Sequence, residues 1–353
     1  MPPIDPAADA AATLATVKAA MLAHRWDYAQ GLAEAALSAA GGTPAHGELQ
    51  LQLAMSHWWQ GHLSQVHPAA LRAAALPLPT GQRIRALGLA ALGLSELGLV
   101  NEALMPALRA LVLAREPGQH PHLPSALSCA AHAYALAGQP ELSEPLHMEA
   151  LSMARESAHS GELQQAYANL LVSFAHAHAE LLEQAQPEAA RAVLQRGLHH
   201  LSQARGLLLD GRIQEERQVG MRLAIARLLM LAERADEAEP QLRQVIADST
   251  ALSSHFYLHA GRQVLAELLH RRGRHHEALT WLRPELDRET THGVQSLRIA
   301  ALRSALACQQ ALALAGEAAC TRADLEQALA ERDDTRRQAR HDLMALPQQA
   351  ALS

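Results

Sequence analysis

The sequence predicts an all-α solenoid of about seven to nine stacked helical hairpins. The first observation behind this is a recurring ruler. Gly98 has Ala91 seven residues before it, Ala103 five after, and Ala110-Leu111 twelve and thirteen after. Gly138 is framed by Ala131 and Ala150-Leu151, and Gly61 by Ala54 and Ala73. Gly273 is framed by Ala266 and Ala278, with Glu285-Leu286 where the last mark falls. Small residues let two helices cross closely, and glycine suits the left-handed turn that ends a first helix. The second observation is composition. The chain is 49% hydrophobic but only 3% aromatic, so Ala and Leu carry the apolar content and favour helix over strand. The third is periodicity: the turn points Gly61, Gly98, Gly138, Glu233, Gly273 and Gly316 stand 37, 40, 95, 40 and 43 residues apart.

Taken in order, the first seven residues hold three prolines, and residues 1–9 are expected to be disordered. The first hairpin pairs Ala11–Ala23 with Tyr28–Ala39 and closes at Gly41-Gly42-Thr43-Pro44. The second pairs Glu48–Gln60 with Ser64–Ala75, and Pro77 and Pro79 end it. The third pairs Arg83–Leu97 with Asn101–Arg115, ended by Pro117-Gly118. The fourth pairs Ser125–Ala137 with Glu141–Glu156. The fifth is longer: Glu162–Ala185, then a helix that starts at Pro187 and stops at Asp210-Gly211. The sixth pairs Gln214–Leu231 with Asp236–Ala247, and the seventh Ser254–Arg272 with His276–Arg288. The last pairs Gly293–Ala315 with a helix from Thr321 onward. The register between residues 160 and 210 stays open, because the gap of 95 holds one long repeat or two fused ones.

Prolines recur within the second helices, at Pro68, Pro106, Pro145, Pro240 and Pro284. A proline in the first turn costs little, since that N–H has no partner. The expected reading is therefore a helix that starts late at each of them. A repeated bend that sets solenoid curvature is the alternative.

The hairpin spacing resembles the tetratricopeptide repeat (TPR) over roughly residues 10–330. The period near 40 exceeds the 34 of the plain repeat and is closer to longer TPR variants of bacterial signalling and regulatory proteins. The resemblance implies a right-handed superhelix whose first helices line a concave face. It further implies that residues three, six and ten before each turn point project into that face. On that rule Trp58, His132, Arg227, Glu267 and His270 are the expected partner-binding residues. Their chemistry runs from apolar to charged, which matches a protein or peptide segment with one apolar and one charged end. Trp58 adjoins Trp59, and one of the pair is expected in the core.

Other function classes have little support. The net charge is −6 and basic residues form no block, which argues against a nucleic-acid surface. Cys129, Cys308 and Cys320 form no CxxC pair, so neither a disulfide framework nor a zinc ribbon is indicated. The N-terminus lacks the pattern of a signal peptide, and no stretch approaches the roughly 18 apolar residues of a membrane span. A cytoplasmic location is expected. There is no GxSxG, no GxxxxGK[ST] and no GxGxxG after a strand. Among 21 histidines, His255 and His259 share a helical face, but no HExxH motif or neighbouring ligand completes a metal set. No enzyme activity, cofactor or metal is expected.

The tail, Ala339 to Leu352, reads ARHDLMALPQQAAL. With one residue deleted after Asp342, it resembles the start of a GGDEF (diguanylate cyclase) domain at Asp342, Leu346, Pro347 and Leu352. It lacks that family's Thr-Gly and Asn-Arg, where Met344-Ala345 and Gln348-Gln349 stand, and it lacks the catalytic loop. Residues 331–353 are thus expected to form a charged helix and a degenerate GGDEF-like tail, with homodimerisation through that helix. The expected function is a non-catalytic interaction or sensory module. The alternative is the sensory half of a diguanylate-cyclase-type protein whose output domain is lost or truncated.

Overall fold

The computed structural model describes residues 6–39, 44–156, 160–208, 215–286 and 295–350. Among these the chain forms sixteen α-helices and no strand. They are α1 (Pro6–Leu22), α2 (Trp26–Ala39), α3 (Pro44–Gln60), α4 (Leu63–Ala75), α5 (Thr80–Glu96), α6 (Val100–Ala114), α7 (Leu123–Leu136) and α8 (Pro140–Glu156). There follow α9 (Ser160–Glu183), α10 (Pro187–Leu208), α11 (Glu215–Leu231), α12 (Ala235–Ala251), α13 (His255–Arg271), α14 (His275–Leu286), α15 (Gln295–Ala311) and α16 (Ala315–Ala350). Consecutive helices pair into eight hairpins. Gly41-Gly42-Thr43, Asp210-Gly211 and Leu352 lie outside the described residues, as do the side chains of Asp342, Leu346 and Pro347.

Helix α1 begins at Pro6, inside the segment expected to be disordered, and α3, α8 and α10 also open on proline. Proline is pre-set for the first helical position and has no N–H to leave unpaired. Each first helix ends in one recurring turn. At Gly273 the turn N–H bonds back to His270 O at 2.9 Å, and Arg274 N to Leu269 O at 2.9 Å. This pair of hydrogen bonds caps the orphan carbonyls of a helix end and needs a left-handed residue. That residue is Gly61, Gly98, Gly138, Glu233 and Gly273, all with positive φ, as the ruler places them. The structure adds His24 and Ala185, and Ala185 divides the gap of 95 into two hairpins.

Gly316 is a correction. The last turn falls at Ala313, φ 56°, and Gly316 lies in the first turn of α16. Cys308 and Gln309 are buried at the end of α15, and Leu314 N bonds to Gln309 O at 2.9 Å. Packing therefore ends the helix there, and alanine accepts the left-handed strain of about 1–2 kcal/mol.

The prolines are a second correction. The helices do not start late: Pro68, Pro106, Pro145, Pro240 and Pro284 all lie inside α4, α6, α8, α12 and α14. The left-handed turn fixes where each second helix begins. Proline then forfeits one backbone bond a turn or more downstream.

The ruler positions form the core. Ala54, Ala103, Ala131, Ala150, Ala266 and Ala278 are all 0% exposed. One apolar cluster runs from Leu63 to Cys308, so the core grows by stacking, as a solenoid requires.

Gly273→Val tests the turn assignment. Its φ is +74°, and a Cβ at this position would meet nothing within 4 Å, so the cost is backbone strain alone. The expected loss exceeds ~1 kcal/mol by urea unfolding. An unchanged midpoint would place the turn elsewhere. At Gly98 a Cβ would also collide with the Arg336 guanidinium, because another part of the chain approaches that turn.

Candidate functional site on the concave side

Contacts join hairpins that are distant in sequence. Trp26, at the start of α2, donates its indole N–H to Leu252 O at 3.0 Å and stacks on Trp59 at 5.4 Å. Trp59 meets Tyr257 at 5.8 Å, and Trp58 meets Phe256 at 5.0 Å. These rings join α3 to α13. Trp58 and Trp59 are partly buried, and each has an aromatic partner inside the chain. Trp58, expected as a free anchor for a partner, thus also serves the closure of the superhelix.

Helix α16 makes the second closure. Arg336 Nε donates to Leu97 O at 2.7 Å, where the carbonyls at the end of α5 favour a cation. Ala339 is buried among Leu94, Leu97, Leu99 and Ala103, and Arg340 pairs with Glu102 on α6. This face of α16 is therefore used within the chain, and a dimer through the helix would need another face. The helix also runs unbroken across the domain boundary expected at 330/331.

Arg227 of α11 interacts electrostatically with Glu96 of α5 and with Glu267 and Tyr257 of α13. Burial holds the Arg227 guanidinium below its ordinary value, against the opposing pull of Glu96, Glu267 and Tyr257. Burial likewise pushes the Glu96 carboxyl up, with Arg227 opposing. Burial, helped by Glu96, pushes the Tyr257 hydroxyl up to about 12. Stacking thus brings Trp58, Arg227 and Glu267 into one neighbourhood with Glu96 and Tyr257. Glu267 also pairs with Arg271 at 2.6 Å.

A cavity of about 250 Å³ adjoins this cluster, lined among others by Leu63, Ser95, Glu96, Arg303, Arg332 and Arg336. Arg332 pairs with Asp333 at 2.9 Å, and Arg303 is exposed. Three arginines and one glutamate line the space, an excess of positive charge that the net charge of −6 does not suggest, with Arg332 and Arg336 also near Asp333. Sequence spacing missed them because α15 and α16 meet α5 only through the closure.

His132 lies apart from this group, whereas His270 stands one turn from Glu267 on α13 and feels its carboxylate. His132 is only 6% exposed on α7, so its place is in the core, near His147 and His176. Burial lowers it to about 4. His270, partly buried in the last turn of α13, meets His275 and Cys308. His259, one of the two histidines sharing a helical face, is buried against Glu285, which also accepts from Arg262 at 3.2 Å. His255 is exposed.

Among the described residues, no helix is long and apolar enough to cross a membrane. No protein-family model matches this chain, and no curated protein does. A solved structure of a Rap protein complexed with competence and sporulation factor is similar, with a TM-score of 0.56 at 11% identity. The likeness covers 93% of this chain and 99% of that one. The apo form of RapI matches at a TM-score of 0.40 and 12% identity, over 95% and 98% of the two chains. Yeast Tom70 matches at 0.30 and 12%, over 95% and 97%. At these identities the first of them supports the fold alone: an all-α, TPR-like solenoid.

Proposed function

We propose that this chain is a non-catalytic interaction module that takes a protein segment on its concave side. The observation that carries the reading is the cavity between α5 and α15–α16, where Arg303, Arg332 and Arg336 converge. Guanidinium groups in a concave space pair with carboxylates through bidentate, charge-assisted hydrogen bonds. The segment is therefore one with acidic side chains or a free C-terminal carboxylate. Trp58, only partly buried, supplies the apolar end of the proposed surface. The similar Rap structure was solved with a bound factor, and for this chain a bound partner is the corresponding reading.

The test is fluorescence anisotropy with short labelled peptides, acidic against basic, at two salt concentrations. Acidic peptides are expected to bind, and Arg303→Glu to weaken them about 10-fold or more, mainly through association rate. Arg303 is chosen because it is exposed, whereas reversing Arg227 would set three carboxylates against one another. Arg109→Glu, on the exposed face of α6, is the control and is expected to change little. Equal binding of basic peptides, or loss of binding in the control alone, would overturn the assignment.

A second reading is favoured by α16, which carries Arg332 and Arg336 and continues unbroken to Ala350. An occupied cavity would bear on the helix that leads into the GGDEF-like tail, as the sensory half of a cyclase-type protein requires. A downstream coding sequence without such a domain would remove this reading.

A further inference from the structure

Three side chains with metal-binding atoms converge where the seventh hairpin meets the eighth. His270 is in the last turn of α13, His275 opens α14, and Cys308 lies in α15. The two Nδ1 atoms are 3.1 Å apart, and Cys308 Sγ is 3.3 Å from His270 Nδ1. All three donor atoms lie within 4.8 Å of one another. We propose that His270, His275 and Cys308 bind a single Zn²⁺-class cation, with the fourth position left to solvent or a partner.

The geometry fits such an ion. With bonds of about 2.0–2.1 Å to nitrogen and about 2.3 Å to sulfur, a tetrahedral site sets N···N at about 3.3–3.4 Å and N···S at about 3.5–3.6 Å. Two of the three separations already stand within a few tenths of an ångström of those values, and the third, His275 to Cys308, is within 4.8 Å. Hydrogen bonding alone satisfies the cluster poorly. An imidazole Nδ1 has one in-plane lobe, filled by either a proton or a lone pair. His270 therefore serves His275 or Cys308, not both, whereas one cation serves all three. Two imidazoles and a thiolate are a borderline-soft set that selects zinc over calcium or magnesium.

The surroundings favour a cation as well. The carbonyl end of α13 is beside the site, and Arg271, which acts on His270, is paired with Glu267 at 2.6 Å, while Arg274, next to His275, is paired with Glu277 and Glu239. Cys308 is buried, while both histidines are partly exposed, which leaves an entry path and an open coordination position. A bound ion would pin the α13–α14 turn to α15, and so to the hairpin that lines the basic cavity.

The test is a Co²⁺ titration of untagged full-length protein, followed by competition with Zn²⁺. One equivalent of Co²⁺ is expected to give tetrahedral visible bands and a thiolate-to-cobalt charge-transfer band, both removed by Zn²⁺. Zn²⁺ should raise the melting temperature. Cys308→Ser should abolish the charge-transfer band and His275→Gln should lower affinity by more than the roughly 10–100-fold that an outer-sphere partner costs. Cys320→Ser and His276→Ala, both away from the three donors, should leave binding unchanged. Circular dichroism of each apo variant separates lost binding from lost folding, and His275→Gln keeps the test open if Cys308→Ser fails to fold. No stoichiometric binding, or a charge-transfer band that survives in a folded Cys308→Ser protein, would overturn the proposal.

Discussion

His259→Ala is expected to lower the unfolding free energy by about 3–5 kcal/mol. His259 and Glu285 are 4% and 2% exposed, and the imidazole Nδ1–H is the donor, since a carboxylate only accepts. Glu285 has one other partner, Arg262, at 3.2 Å. Removing the histidine leaves a carboxylate oxygen buried and unpaired and opens a void beside it. His255→Ala, one turn away and exposed, should stay within about 0.5 kcal/mol. The double variant His259→Leu with Glu285→Leu removes both polar partners, and its loss should be smaller than the sum of the single losses. Urea unfolding monitored by circular dichroism reads all of these. Equal effects at His255 and His259 would show that the buried pair carries no coupling.

Acid is expected to unfold this protein well above the carboxylate range. Burial lowers His57 to about 4, His132 to about 4 and His147 to about 3, from 6.5. Neighbouring positive groups add to the shift: His62 and Arg72 at His57, His176 at His132, and His132 at His147. His147 is held neutral in a 2.9 Å hydrogen bond with Ser173. The sign follows from proton counting. Between pH 6.5 and about 4 the unfolded chain binds a proton at each of these sites and the folded chain does not. Stability is therefore full above 6.5 and falls as pH drops through that window. Each group contributes up to about 1.4 kcal/mol per pH unit, so the three together cost on the order of 5 kcal/mol between pH 7 and pH 5. That is comparable with the whole stability of a typical domain, about 5–15 kcal/mol. Below this window the carboxylates of Glu102, Glu239 and Glu277 add their own loss, since Arg partners hold them low. Unfolding free energies at pH 7, 6 and 5 should show the slope, and His132→Gln should reduce it by about one proton. A flat profile over that range would sink the prediction.

How much of this was legible varies by residue. The turn at Glu233 was readable although the residue is not glycine, because the alanine spacing around it kept phase. The break at Ala185 was marked by Pro187, though not which residue takes the left-handed conformation; the turn at Ala313 was not readable, since alanine announces none and Gly316 drew the expectation three residues downstream. Glu285 stood on the ruler's last mark, where the hairpins turning at Gly61, Gly98 and Gly138 carry alanine, and that oddity was the trace of a buried carboxylate. The expected concave residues divided. Trp58, Arg227 and Glu267 came together, while His132 went into the core. Its position six before Gly138 pointed it inward, and spacing does not distinguish a lined groove from a filled one.

The sequence by itself determined the helical hairpin, its turn and its repeat. Those rest on signals within about a dozen residues: a left-handed turn, small residues at a helix crossing, and proline at a first position. Only the tertiary structure decided the closure of Trp26 on Leu252 and of Arg336 on Leu97, the basic cavity, and the meeting of His270, His275 and Cys308. Contacts between neighbouring hairpins follow from local spacing. Contacts between distant ones depend on the rotation accumulated over every hairpin in between. A small change in each crossing sums to a large displacement at the ends, and no single stretch of sequence records that sum.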